Sequence, residues 1–422
     1  MSHWSRSQAG RGVFLFILAG SVALLLAQCS RGPTDPDPGG RVPPRSLTAA
    51  EQQLVTCDNV FAFQLFREIA QHEAPDSSIV ISPFSVAMAL TMTANGARGE
   101  TETAMHAALE LSGLTREQIN DSYRGLLDLL AGLDPDVVLE IANSIWPRLG
   151  YPVEEAFLEL NRETFDAETR ELDFSDPAAL DIINGWISEK THGLIPRMLT
   201  AIPPDVVMYL INAIYFKGTW TYLFDEEDTA PAPFFLAGGE QTTCQMMSME
   251  GGEFETFYDF EQGIRGLDLP YGVGDFRMTL ILPDRDRDLG EVISGLTPEQ
   301  WHAWIARLSP SEIDVHMPKF KLAYDLLLND VLTALGMGIA FTPAADFTGI
   351  SPRDPWISRV LHKAVIEVNE EGTEAAAVTV VEMIESATPG FYADRPFLFA
   401  IRDRHSGAIL FMGRVMNPTW ED

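Results

Sequence analysis

The sequence predicts an α+β fold, in which helices dominate the first part of the chain and strands dominate the second. Up to about residue 190, apolar residues recur at the three- and four-residue spacing of helices. Beyond that point, short runs rich in β-branched and aromatic residues are more frequent. No repeat or internal linker interrupts residues 51–418, so we predict a single domain over 51–422.

The composition is that of a globular chain with a large acidic excess. Of the 422 residues, 46% are hydrophobic and 21% are charged, which is sufficient for a large core. The 61 acidic and 29 basic residues give a formal net charge of −32. Because proteins bind phosphate backbones by neutralising them with cations, this charge disfavours nucleic acid and other polyanions as partners.

The N-terminus has the pattern of an export signal. Arg6 and Arg11 precede an apolar run over 13–27, which is short for a bilayer crossing but suits a signal peptide. We therefore predict a signal peptide over 1–28 and export of the remainder.

The residues that follow predict a membrane tether. The string LAQC at 26–29 resembles a bacterial lipobox, which would make Cys29 a lipidated residue in the cell envelope or periplasm. Simple secretion and an uncleaved anchor are the alternatives, because Gln28 stands where a small residue is usual. The proline- and glycine-rich segment within 29–50 is typical of an extended tether.

Helical signals continue from the end of the tether. An apolar stripe predicts an amphipathic helix over 51–72. Ser82 and Pro83 supply an N-cap and a first-turn proline for a second helix, which is apolar almost all round and is therefore expected to be buried. Further helices are predicted over 100–110, 115–131, 153–165 and 177–190.

Strand signals follow. The run 206–216, VVMYLINAIYF, is almost wholly apolar, as expected for a strand covered on both faces. A second strong strand is predicted over 360–369. Further strands are predicted over 137–146, 254–260, 264–270, 275–282 and 312–320, with a hairpin over 396–402 and 408–415 and one late helix over 325–335.

Cysteine usage and motifs indicate neither a disulfide framework nor an enzyme. Cys57 and Cys244 are too few to define a framework, and we predict two buried thiols whose pairing the sequence leaves open. The chain has no GxSxG, HExxH, Walker or GxGxxG motif and no cysteine cluster with metal-ligand spacing. The sequence thus predicts no enzymatic activity, cofactor or metal, although distant residues could still assemble a site.

The stretch from Glu370 to Glu382 combines the features of a strand and of an exposed loop. Every second residue from Thr373 to Val381 is small or apolar, and this set could line a core. Gly372 permits a sharp backbone change, and the residues that follow the stretch have a loop composition. A permanent half-buried strand is one interpretation; a segment that can occupy both states is the other.

Four strings resemble the serpin family of serine protease inhibitors. EEGTEAAAVTVV is similar to that family's hinge and proximal reactive-centre loop, and FYADRPFLFAI to its C-terminal signature. SPFSVAMALTMTANGARGET and LINAIYFKGTW resemble further family segments. The resemblance implies several helices packed on a large mixed sheet with smaller sheets, and an exposed reactive-centre loop at about 372–392.

What the resemblance implies for function is an irreversible, suicide-substrate inhibitor that works as a monomer. A serine protease would attack the loop and form its acyl-enzyme. The cleaved loop would then insert into the main sheet before deacylation, a strand addition that serpins themselves exemplify. A non-inhibitory serpin-like carrier or chaperone and an unrecognised hydrolase are the alternatives.

The resemblance also assigns roles to individual residues. The implied hinge is Glu370, Glu371, Gly372, Thr373, Glu374, Ala375, Ala376 and Ala377. Trp220 resembles an aromatic residue at the top of the sheet, and Ser82, Ser85, Asn212 and His362 match polar positions that latch sheet opening. Ordinary packing for Trp220 and satisfied buried polar groups for the other four are the alternative interpretations.

Two counts locate the reactive bond. Counting from the hinge places it between Ser386 and Ala387, whereas counting back from Pro396 places it between Glu385 and Ser386. Serine before the cut suits an elastase-like or subtilisin-like protease with a small specificity pocket, and glutamate would require a pocket with a basic group. We prefer the first.

Overall fold

The computed structural model describes residues 44–373 and 390–420 of the chain. Its α-helices are Ala49–His72 (α1), Pro83–Ala94 (α2), Gly99–Ala108 (α3), Arg116–Ala131 (α4), Glu155–Phe165 (α5), Ala178–Lys190 (α6), Leu289–Ser294 (α7), Pro298–Ile305 (α8) and Asn329–Leu332 (α9). Its strands are Ile79–Ile81 (β1), Val137–Pro147 (β2), Glu168–Thr169 (β3), Met208–Gly218 (β4), Ala230–Phe235 (β5), Gln241–Asp259 (β6), Ile264–Tyr271 (β7), Phe276–Pro283 (β8), Ser309–Pro318 (β9), Phe320–Leu327 (β10), Leu361–Val368 (β11), Gly390–Tyr392 (β12), Phe397–Asp403 (β13) and Ile409–Val415 (β14).

Side-chain caps fix the starts of the first two helices. At α1, the Thr48 hydroxyl accepts from the Glu51 N–H at 3.2 Å, and the Glu51 carboxylate accepts from the Thr48 N–H at 2.7 Å. This reciprocal pair is a capping box. At α2, the Ser82 hydroxyl accepts from the Ser85 N–H at 3.3 Å, and Pro83 occupies the first turn. The predicted starts of both helices are confirmed to within two residues.

The strands form mixed sheets on which the helices pack, so the predicted α+β class is confirmed. The largest sheet has the order β1-β14-β13-β8-β7-β6-β9-β12, with β5 paired on β6. A three-stranded sheet has the order β3-β2-β4, and β10 pairs with β11 in a third. The pairs β9–β12 and β2–β3 are parallel, whereas β2–β4 and β10–β11 are antiparallel.

The two faces of β4 contribute to different cores. Ile214 and Phe216 belong to the large core that contains α1 and α2. Ile211 and Ala213, on the alternate face, pack with Trp186 of α6 in a smaller cluster. The strand is therefore covered on both faces, as its apolar run predicts.

The cysteines are buried and unpaired. Cys57 and Cys244 are both free, as predicted. Burial raises the pKa of each thiol to about 11, so both stay protonated and unreactive at neutral pH.

No helix within the described ranges is long and apolar enough to cross a membrane.

The predicted helix over 325–335 is wrong in its first part. Strand β10 continues to Leu327, and the helix begins only at Asn329. Along β10, Phe320 and Leu322 are buried and alternate with exposed residues, a period of two that is typical of strands. All eight residues of β10 pair with β11, so sheet pairing outweighs the helix propensity of the leucines.

Candidate functional site

The candidate site lies where β4 and β11 end on either side of Thr373. The two strands belong to different sheets, and the topology of the described residues contains no β4–β11 pair. The Thr373 N–H donates to the Gly218 carbonyl at the end of β4 at 2.9 Å. Thr373 also forms an antiparallel bridge with Val368, the last residue of β11, and Gly372 forms one with Thr219. The chain thus reverses after β11, and Gly372 and Thr373 lie between the ends of the two strands.

A cavity adjoins Thr373 at this position. It is lined by residues of both strands and of the core beneath them, namely Leu194, Phe216, Val365, Ile366, Glu367, Thr373, Ile401 and Phe411.

The reversal after β11 depends on Asn369 and Gly372. The Asn369 side-chain oxygen accepts from the N–H groups of Glu371 and Gly372, each at 3.1 Å. The backbone N–H of Asn369 donates to the Gly372 carbonyl at 2.8 Å. Gly372 has φ +149°, and a side-chain carbon there would overlap the Gly218 carbonyl. Glycine is therefore required here by both conformation and space.

Trp220 holds this turn against the end of β4. Its indole N–H donates to the Asn369 carbonyl at 2.9 Å, and its backbone N–H donates to the Glu371 carbonyl at 2.8 Å. Its ring stacks on Tyr271 at 4.3 Å and 14°. The Tyr271 hydroxyl lies 2.9 Å from the Thr373 hydroxyl, and burial raises the pKa of Tyr271 well above its ordinary value. Trp220 therefore contacts the turn directly, and Tyr271 links its ring to Thr373.

An ion pair fixes Glu370, a residue of the predicted hinge. The Lys319 Nζ lies 2.9 Å from the Glu370 carboxylate, and both side chains are about 5% exposed or less. The Lys319 ammonium also lies 4.6 Å from the centre of the Trp420 ring, and the Lys321 N–H donates to the Thr419 carbonyl at 3.0 Å. Buried pairs of this kind specify geometry more than they add stability. Lys319 therefore positions both the C-terminal segment, through Trp420, and the predicted hinge, through Glu370.

The four predicted latch residues come together at the N-terminus of α2. The Ser82 N–H donates to His362 Nε2 of β11 at 3.1 Å, and the Ser82 hydroxyl donates to the Leu410 carbonyl at 2.8 Å. The Ser85 hydroxyl donates to the side-chain oxygen of Asn212 in β4. One helix end therefore contacts β4 through Ser85 and β11 through Ser82. Whether these contacts control sheet opening stays a prediction.

Burial keeps His362 neutral. It is 6% exposed, and burial lowers its pKa from the ordinary 6.5 to about 4. The neutral imidazole can accept the Ser82 N–H, whereas a protonated one could not.

The pH dependence of stability is expected to reveal this neutral histidine. Below pH 6.5 the unfolded chain binds a proton at His362 that the native chain does not, so the native state loses stability as the pH falls to about 4. The difference of about 2.5 pKa units corresponds to about 3 kcal/mol. In denaturant unfolding, the stability of the wild type relative to His362→Gln should therefore fall over this pH range.

Comparison with that variant isolates the histidine. Burial raises the pKa of Asp58 to about 7, but Asp58 is the same in both proteins and its contribution cancels. Equal pH dependence in the two proteins would contradict a neutral buried His362.

Several functional candidates were not predicted from the sequence. Lys319 and Tyr271 carry no motif, because their roles depend on contacts with Glu370 and Thr373, which are distant in the sequence. Asn369 was also missed, although its side chain bonds locally to Glu371 and Gly372. Asn143 is another, since its side-chain oxygen accepts from the Asn212 amide at 2.7 Å.

Other predicted site residues lie outside the described residues. They are Cys29, the hinge residues Glu374, Ala375, Ala376 and Ala377, and the reactive-bond residues Glu385, Ser386 and Ala387. Within the described residues, no group of three or more histidine, cysteine or acidic side chains is arranged to hold a metal ion.

Comparison with known proteins places this architecture in a family. The family model described as serpin (serine protease inhibitor) matches residues 57–418. The chain therefore belongs to the serpin family, as its sequence predicts.

Individual relatives cover most of the chain. The leukocyte elastase inhibitor of Sus scrofa is 37% identical over 381 residues, which span 87% of this chain and 100% of the relative. Serpin B9 of Homo sapiens is 36% identical over 379 residues, spanning 87% of this chain and 100% of the relative. The names of these relatives support protease inhibition.

Solved structures show the same fold. The thermophilic serpin Tengpin in its native state has a TM-score of 0.77 and 30% identity, covering 89% of this chain and 96% of that one. A complex of thyroxine-binding globulin with thyroxine has a TM-score of 0.80 and 27% identity, covering 87% and 99%. The fold is thus shared by chains named for inhibition and by one named for binding a small molecule.

Proposed function

We propose that the chain is an irreversible, suicide-substrate inhibitor of a serine protease, which it traps by inserting its cleaved loop between β4 and β11. The observation that carries this proposal is the position of Thr373. Its N–H is bonded to Gly218, and its backbone bridges Val368. The first residue of the inserted strand is thus already in register with both neighbours.

This register extends to the latch residues. Thr373 is opposite the last residue of β4 and the last residue of β11. Six residues further along the loop, and six residues back along each strand, Thr379 would lie between Asn212 and His362. A hydroxyl there can bond to both side chains. Insertion would therefore offer Asn212 and His362 a new hydrogen-bond partner in place of Ser85 and Ser82.

The sequence of the loop suits a central strand. The residues that would share the core-facing side with Thr373 are Ala375, Ala377, Thr379 and Val381. None is charged or bulky, and no proline removes a hydrogen-bond donor before residue 389. About a dozen new backbone hydrogen bonds at roughly 0.5–1.5 kcal/mol each would contribute on the order of 10 kcal/mol.

The proposed target is a protease with a small specificity pocket. A cut between Ser386 and Ala387 suits elastase-like or subtilisin-like enzymes, and a relative named leukocyte elastase inhibitor is 37% identical. We also propose that the chain is bacterial, monomeric and exported, with Cys29 as a lipid anchor. Mass determination of the mature N-terminus tests the anchor.

The decisive experiment is incubation of the purified chain with a panel of serine proteases. We expect a covalent complex that resists denaturation on a gel, and release of a C-terminal peptide whose mass identifies the reactive bond. Cleavage without a complex would favour a carrier or chaperone. Turnover of an acyl substrate by the chain alone would favour a hydrolase.

A further inference from the structure

A row of side chains crosses three strands directly after the reactive loop. Strand β12 begins at Gly390, and its Tyr392 pairs with His316 of β9. His316 pairs in turn with Ser248 of β6. Paired residues of neighbouring strands project to the same face, so Tyr392, His316 and Ser248 form a continuous surface. We call these three residues the distal row.

Tyr392 is exposed but held in one orientation. The residue is 42% exposed, and its ring stacks on the His316 imidazole at 4.3 Å and 9°. The His316 Nδ1 lies 2.9 Å from the Ser248 hydroxyl, which fixes the imidazole. A side-chain carbon at Gly390 would overlap the Tyr392 ring, so the glycine leaves the space that the ring fills. An aromatic face ordered in this way loses little entropy on binding.

Two carboxylates give this surface a negative potential. Glu250 is exposed. Asp314 pairs with Gly390 and is 1% exposed; one of its oxygens accepts from the Gly251 N–H at 2.9 Å, and the other has no hydrogen-bond partner. Burial raises the pKa of Tyr392, and the charges of Asp314 and Glu250 raise it further. Both carboxylates therefore act on the exposed aromatic face.

The distal row lies within reach of a protease bound to the loop. Tyr392 is five residues after Ala387, and an extended chain spans at most about 3.5 Å per residue. The ring is thus within about 20 Å of the reactive bond. A standard protease–inhibitor interface buries about 800 Å² on each partner, which is wide enough to include this surface.

We propose that Tyr392 and Glu250 form a secondary docking site for an arginine or lysine side chain of the target protease, and that the charge of the buried Asp314 strengthens it. A cation is attracted to the face of an aromatic ring, and more so beside carboxylates. The site would speed the encounter and select proteases that carry a basic residue beside the part of the cleft that binds residues after the cut. This inference rests on the proposed function, because it assumes that a protease attacks the loop.

The test measures the rate at which an elastase-type and a subtilisin-type protease cut the loop, whether or not they are then trapped. Tyr392→Ala is expected to lower the second-order rate constant about fivefold. Gly390→Ala should have a similar effect because it displaces the ring. Glu250→Gln should lower the rate about threefold in about 0.05 M sodium chloride and have no effect in about 0.5 M, where salt screens the charge.

Matched controls separate docking from general effects. Tyr392→Phe keeps the aromatic face, and Glu159→Gln removes the same charge from an exposed position on α5; both should react at the wild-type rate. Melting temperatures must match the wild type in every variant. Unchanged rates for Tyr392→Ala and Glu250→Gln with each protease that cuts the loop would overturn the docking site. Cutting without capture would refute the inhibitor proposal alone, since the rates still report docking.

Discussion

Cleavage of the loop in the purified chain is expected to raise its melting temperature by on the order of 10–15 °C. Insertion of the cut loop would add on the order of 10 kcal/mol in backbone hydrogen bonds. Unfolding near 60 °C gains about 2.1 cal/mol/K per residue, or about 0.8 kcal/mol/K over the matched residues 57–418. Dividing the added free energy by this entropy of unfolding gives the expected rise in melting temperature. Scanning calorimetry of intact and cut protein measures it.

The cut must be made by an enzyme that the chain cannot trap. A zinc metalloprotease that cleaves between residues 374 and 387 is suitable, because it activates water and forms no acyl-enzyme. A surface nick within the sequence AGGEQ at 237–241 is the control, and it should not raise the melting temperature. If the chain cut in the reactive loop melted where the intact chain does, the cut loop would not insert between β4 and β11.

The sequence predicted those helices and strands whose signals lie within a few neighbouring residues. The cap and proline at Ser82 and Pro83 fixed the start of α2, and its uniformly apolar residues predicted its burial. The apolar run at 206–216 predicted β4, although the strand is displaced by two residues to Met208–Gly218. These signals suffice because each depends on neighbours along the chain.

The candidate site required more than local rules. Resemblance to a family pointed to Ser82, Ser85, Asn212 and His362, and the structure places them in contact pairs around one helix end. Because these residues are far apart in the sequence, no local sequence pattern indicates that they are in contact. Lys319 was missed for the same reason, since its partner Glu370 is distant in sequence and only folding buries the pair.

The prediction of a helix over 325–335 was partly wrong for a different reason. Leucines at 326–328 have good helix propensity, and they follow an alternating pattern that begins at Phe320. The pairing of β10 with β11 determines the outcome. Propensity is a weak guide wherever a partner strand is available.

The substitution Thr373→Arg is expected to convert the inhibitor into a substrate. Thr373 is 5% exposed, and its hydroxyl lies 2.9 Å from the Tyr271 hydroxyl. A guanidinium is strongly disfavoured at this buried position, so residue 373 of the variant is expected to stay out of the sheet before cleavage. Insertion of the cut loop would then have to bury the charge, at a cost of several kcal/mol. Since each 1.4 kcal/mol slows a step about tenfold, about 3 kcal/mol would slow insertion on the order of a hundredfold. Deacylation would then precede capture.

The measurements are the stoichiometry of inhibition and the yield of covalent complex on a denaturing gel. We expect the variant to be cut at the wild-type rate, with the stoichiometry raised by more than about tenfold and the complex lost. Thr373→Ser keeps the hydroxyl and the small volume, so it should inhibit like the wild type. A full yield of complex from Thr373→Arg would mean that capture does not require this residue to enter the sheet, and the role assigned to the strand beginning at Thr373 would be wrong.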